Sequence, residues 1–184
     1  MARTRNTPND PRRRERIAAA AMRLLEDGGV DAVTARAVAA SAHVPVGSVS
    51  YYFPSVRALL LEASRRVADL RADSLAQWSD TVTADTLIGA LAELIHTQIT
   101  TGRGLTVVAY ELYILGLRDE EFRSVAETVN RALRDALAHH LPADTADHLA
   151  ATAEGLQLAA LVRRPTPDTA ALVGALRGRA ETQP

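Results

Sequence analysis

Residues 34–53, TARAVAASAHVPVGSVSYYF, read as two short helices joined by a tight turn, and that pattern admits few folds. Thr34 is a suitable N-cap for a helix running to Ser41, because its hydroxyl can accept a backbone N–H of the first turn. Ala39 is small where two crossing helices would approach closely, and Val38, Val44 and Val49 are spaced to fill a small core between them. His43 falls at the turn, where a positive φ is expected and histidine is among the tolerated residues. Pro45 opens the second helix, which runs to Tyr52, at a place where its missing N–H costs little.

The rest of the chain carries the same period. Arg12 to Asp27 places Ile17, Ala20, Ala21, Leu24 and Leu25 on one face, and Gly28-Gly29 stops it. Ser55 can cap a long helix to about Trp78 with Leu59, Leu60, Ala63, Val67 and Leu70 inward. Further helices are expected over about 84–101, 105–116, 119–141, 143–163 and 169–179, with Pro142, Pro165 and Pro167 as breaks. Hydrophobic residues are 47% of the 184 and aromatics only 4%. Alanine and leucine dominate the apolar set, and both are strong helix formers. No strand-like alternation persists, so the fold class is all-α with about nine helices.

Charge is unevenly divided. Through Arg66 there are 11 arginines against 6 acids, a net of +5, while the remainder carries −6. A basic N-terminal third suits a polyanion. Absence of cysteine excludes disulfides and zinc-thiolate sites. The polar, arginine-rich start has no signal-peptide run behind it, and the apolar runs are too short to span a membrane. A cytoplasmic protein without a membrane partner is the expectation. The second short helix would enter the major groove of DNA. Its exposed side chains would be Pro45, Val46, Ser48, Ser50 and Tyr51: the first two can touch thymine methyls, the others phosphates or base edges. Thr34, at a helix N-terminus, can meet a phosphate. Tyr52 divides evenly between phosphate contact and core, and Phe53 reads as core.

These residues carry a resemblance. Residues 12–63 resemble the DNA-binding domain of the tetracycline-repressor (TetR) family, through Thr34-Ala35-Arg36-Ala37-Val38-Ala39, Ala42-His43-Val44, Gly47-Ser48-Val49, Tyr52-Phe53-Pro54-Ser55 and Leu59-Leu60. The remaining two thirds match only in layout. Residues 1–11, with Pro8, Asn9, Asp10 and Pro11, read as a disordered basic arm, and the resemblance implies a three-helix helix-turn-helix domain at 12–54 and a helical ligand-binding and dimerisation domain at 55–184 joined by the long helix. It adds Arg36, Gly47 and Arg57 to the expected DNA contacts. Val46, Ser50 and Val56 depart from it, standing where lysine, an aromatic and a phosphate-contacting lysine are common. Fewer cations weaken the sequence-independent attraction to DNA, which the arm, with Arg3, Arg5, Arg12, Arg13, Arg14 and Arg16, could offset.

The C-terminal region is less explicit. Leu156 to Val162 is apolar almost all round, so it must be covered on several faces, by its own subunit or by a partner. The resemblance implies that the last two helices form a four-helix interface of a homodimer, which makes Leu156, Ala159, Ala160, Val162, Leu172 and Leu176 candidates. Two recognition helices would then lie roughly 34–36 Å apart on a palindromic operator. For a small-molecule effector the candidates are polar or aromatic residues on apolar faces: Trp78, Gln98, Tyr110, Tyr113 and Gln157. Each has a plainer reading as packing, and Gln98 as a bonded core amide. His96 falls opposite its helix's apolar arc and reads as surface. Few aromatics and no internal charge cluster favour a mainly apolar ligand.

Enzymatic activity is not expected. His139-His140 are neighbours pointing apart, whereas helical metal pairs want spacings of three or four, so these, His148 and Glu154 read as solvated surface. No nucleophile has an evident base nearby, and no cofactor is called for. The function the sequence points to is a sequence-specific regulator, a repressor released from its operator by a small molecule. A DNA-binding or architectural factor without a ligand and a ligand-dependent activator are the alternatives.

Overall fold

The structure, a computed structural model, describes residues 11–178. They form nine α-helices and one 3-10 turn, with no strand among them. The arm expected at 1–11 lies almost wholly outside the described residues. Two compact units divide at Val67 and Ala68, within the long helix rather than ahead of it.

The first unit begins with α1 (Pro11–Gly28). Its buried stripe is Ile17, Ala20, Ala21 and Leu25, as its period indicates, with Ala18 added. A Cβ on Gly28 would lie 2.7 Å from the Cβ of Ala32. Gly29 then takes φ 73°, a left-handed conformation that glycine adopts without penalty, and the turn Val30–Ala32 follows. Helix α2 (Ala35–Ser41) is capped by Thr34, whose Oγ1 accepts the Ala37 N–H at 3.2 Å. At the turn His43 has φ 54°, and the Val44 N–H returns to the Ala39 carbonyl at 3.0 Å. Helix α3 (Val46–Tyr52) follows Pro45. Val38, Ala39 and Val49 are buried between the two helices, and Val44 is half-buried at their edge.

Helix α4 (Val56–Asp80) starts on Ser55, whose Oγ accepts the Ala58 N–H at 3.0 Å. Leu59, Ala63 and Val67 are buried, but Leu70 is 51% exposed, not inward. The covered side turns as the helix proceeds: in its second half Ala68 and Leu75 are buried and Arg71 is half-buried. Leu70 stands about 100° of rotation away from Arg71, outside that side.

The second unit adds α5 (Leu87–Ile99), α6 (Arg103–Arg118), α7 (Glu120–Ala138), α8 (Ala143–Val162) and α9 (Thr169–Leu176). Helix α5 starts three residues later than its period suggests. Thr83 to Thr86 form a turn instead, with the Thr83 N–H on Thr86 Oγ1 and the Thr86 N–H on the Thr83 carbonyl, both at 3.1 Å. Asp119 caps α7 and Asp168 caps α9 through their side chains. Leu87, Leu91, Ile95, Leu133, Leu137, Ala153, Leu161, Leu172 and Leu176 share one core. Helices α6 and α7 approach closely at Gly116, where an added Cβ would sit 2.4 Å from that of Ala126. No helix among the described residues is long and apolar enough to cross a membrane.

Two expectations change here. His96 is half-buried, its Nδ1 3.1 Å from the Pro167 carbonyl, because the segment leading into α9 folds back over α5. Ala160, Leu172 and Leu176 are buried in their own subunit's core and leave nothing for a partner to cover. Leu156 is half-buried against the same core. Ala159 and Val162 do face outward, Val162 at 81% exposure.

Candidate functional site

The first candidate site is the outer face of α3. Burial of Val49 fixes the helix's rotation and turns Val46, Gly47, Ser50 and Tyr51 outward, with Pro45 exposed ahead of them. Tyr51 is 62% exposed and meets Tyr52 edge-on, ring centroids 4.9 Å apart. Ser48 and Tyr52 are half-buried. Around Gly47 nothing lies within 4 Å of a would-be Cβ, so the backbone there is open to close approach. Thr34, Arg36 and Arg57 are exposed. The capping bond holds the Thr34 hydroxyl against the first turn of α2, where free N–H groups and the helix dipole favour an anion. Phe53 is buried under the guanidinium of Arg14, 5.0 Å from its ring centroid. Arg66 bonds Glu15 and Glu62, and Arg14 lies 3.5 Å from Glu62, so α1 and the start of α4 hold each other by charge.

The second candidate is a cavity of about 370 Å³ inside the second unit. Its walls include Ala109, Tyr110, Tyr113 and Ile114 of α6, Val129 and Asn130 of α7, and Ala151, Glu154, Gly155, Gln157 and Leu158 of α8, with Arg71 from α4. Ile114 and Leu158 are half exposed at its rim. A polar network lies on one side. Tyr110 Oη is 3.0 Å from the Glu154 carbonyl and 3.1 Å from Gln157 Oε1, and Gln157 Nε2 donates to Gln98 Oε1. Burial pushes the Tyr110 phenol up to about 12. Burial also raises the Glu154 carboxyl, against the pull of Arg71 and Arg134. Arg71 is lowered by burial, and its Nε is sealed from solvent with no hydrogen-bond partner.

Of the five effector candidates, the structure brings Tyr110, Tyr113 and Gln157 to the cavity wall. Gln98 stands behind Gln157 as a bonded core amide. Trp78 lines no part of the cavity and packs on the hydrophobic core. Sequence reasoning missed Arg71 and Glu154, and with them the charge of the cavity. The signal was present: Arg71 lies four residues after Val67 and four before Leu75, and Glu154 four after Ala150, both in step with buried residues. The histidines do not gather, and no group of three metal-ligating side chains forms among the described residues. His140 is half-buried, not solvated: its Nε2 lies 3.0 Å from Ser79 Oγ.

Comparison with known proteins places both units. Residues 17–63 match the model of bacterial regulatory proteins of the tetR family, and residues 82–180 match a tetracyclin repressor-like C-terminal domain. Among solved structures, SCO7518 of Streptomyces coelicolor A3(2), assigned as a transcriptional regulator, is 31% identical with a TM-score of 0.79, over 91% of this chain and 98% of that one. The multidrug-binding protein EbrR in complex with ethidium is 30% identical with a TM-score of 0.76, over 92% and 99%. SCO1917 of Streptomyces coelicolor A3, a TetR-family member, is 30% identical with a TM-score of 0.73, over 91% and 98%. No curated protein matches the chain significantly. The family models span both units and the solved relatives nearly the whole length: the chain is a transcriptional regulator of the TetR family.

Proposed function

We propose that the protein is a repressor that binds a palindromic operator as a homodimer and leaves it when a small organic molecule enters the cavity of the second unit. The observation that carries this reading is the pairing, in one chain, of an outward-facing α3 with a cavity of about 370 Å³. That volume lies in the range of small-molecule sites, and apolar walls with a few convergent polar groups are their usual make-up. EbrR has been crystallised with imidazole, proflavin, ethidium and malachite green. From it we carry over only that a small organic molecule occupies the site. No catalytic role is assigned.

For the dimer we propose the outward face at the end of α8, where Ala159 and Val162 are exposed, together with Ala171 and Ala175 of α9. Small residues there permit close helix approach, and Val162 supplies apolar area. In this mechanism α4 carries Arg71 in the cavity wall and begins in the DNA-binding unit. A ligand that moves it changes the separation of the two recognition helices, provided it binds one state better by a few kcal/mol.

Footprinting on DNA from upstream of the protein's own gene tests the reading. Two protected half-sites about one helical turn apart are expected, with protection lost on adding a small-molecule fraction of a cell extract. A single protected half-site would overturn the dimer. Protection that no small molecule reverses would favour a ligand-independent factor.

A further inference from the structure

We infer that the effector carries an anionic oxygen group, of carboxylate type, which Arg71 receives while an apolar body lies along Ala109, Val129 and Leu158. This rests on the reading of the cavity as the effector site and names the chemistry of its occupant.

The cavity's polar groups differ in what each still needs. Tyr110, Gln157 and Gln98 already satisfy one another. Glu154 is a half-buried carboxyl whose proton affinity is raised by burial, so it can shed its charge by taking up a proton. Arg71 has no such escape: a guanidinium keeps its charge in proteins and offers five N–H donors in a planar fork. Yet its Nε finds no acceptor, and Glu154 acts on it as a nearby charge rather than as a hydrogen-bond partner. A partly desolvated charge with a buried unmet donor is unfavourable. What the cavity lacks is an acceptor, and a carboxylate matches the fork in two parallel hydrogen bonds. An anion arriving there also favours the protonated form of Glu154, which would turn that carboxyl from a rival charge into a donor.

A cation would instead have to enter beside an unpaired guanidinium and keep Glu154 ionised. A neutral ligand would leave Arg71 as it is. The three classes therefore rank, with anion first.

The test uses the full-length protein and three probes of one ring system: naphthoate, the corresponding naphthylmethanol and the corresponding naphthylmethylamine, measured by equilibrium dialysis. Naphthoate should bind about tenfold or more tighter than the alcohol, as charge-assisted hydrogen bonds imply, with the amine weakest. Arg71→Met should bring acid and alcohol to equal affinity while alcohol binding persists. Arg71→Lys, which keeps the charge without the fork, should retain part of the preference and serves if the methionine variant does not fold. Equal binding of acid and alcohol by the native protein, or preference for the amine, overturns the inference and leaves the effector site standing. A preference for the acid that survives Arg71→Met also overturns it. Failure of all three probes to bind overturns the reading of the cavity as an effector site, and the inference with it.

Discussion

At the scale of single residues the turn between α2 and α3 is held by one unusual backbone. His43 takes φ 54°, a conformation that costs a non-glycine residue roughly 1–2 kcal/mol and a β-branched one more. His43→Val should therefore lower unfolding stability by at least about 1 kcal/mol, and His43→Gly should change it by less, both read from urea midpoints. The ion pair of Glu15 and Arg66 sets a second expectation. Its hydrogen bond to Arg66 holds the Glu15 carboxyl below the ordinary 4.5. A lowered folded value means that the pair stabilises above the ordinary carboxylate range and fades as pH falls through the folded value. The native protein should exceed Glu15→Gln in urea midpoint at neutral pH, and the gap should close in acid. Because the carboxylate is mostly exposed, the gap should be small. Local features of this kind were legible in the sequence: the Thr34 cap, the His43 turn and the Gly28-Gly29 stop each depend on neighbours a few residues away. Arg71 was legible only in part: it lies four residues after Val67, but only the packed fold shows that α4's covered side turns from Leu70 towards it.

At the scale of elements, helix existence follows from the 3.6-residue period, and helix ends follow from caps where a cap is strong. Asp119 and Asp168 mark their helices well. Helix α5 starts later than its period suggests because Thr83 and Thr86 bond each other and pre-empt the helix. Contacts between elements are a different matter. Nothing in the sequence near Gln98 announces Gln157, 59 residues on, and nothing near Gly116 announces Ala126 as the residue it must clear. Gly116→Ala would place its methyl 2.4 Å from that of Ala126 and 3.2 Å from the Phe122 carbonyl. Overpacking of this kind costs roughly 1–3 kcal/mol. We expect a correspondingly lower urea midpoint, with DNA affinity per folded molecule unchanged because the site is remote from α3 in sequence and unit.

At the scale of the whole molecule, one chain carries both the proposed DNA-reading face and the proposed effector cavity. The basic N-terminal third and the motif at 34–53 made the first legible, because recognition of DNA is written in one contiguous stretch. The cavity draws on four helices, so its lining emerges only once they pack. The same holds for the outward face of α8: an apolar run tells that cover is needed, while Ala160 and Leu161 turning into their own core tells which residues remain for a partner. Exposed Arg36 should act through charge alone. Arg36→Ala should weaken binding to any DNA and lower the slope of log affinity against log salt by about one. The most direct test of the central claim is fluorescence anisotropy with DNA from upstream of the protein's own gene against scrambled DNA, over a salt series. Tight binding that prefers the native fragment and survives moderate salt is the predicted result. Weak binding, equal on both DNAs and lost with salt, would contradict it and would mean that Val46 and Ser50 of α3, with Val56 at the start of α4, leave the helix-turn-helix without a sequence to read.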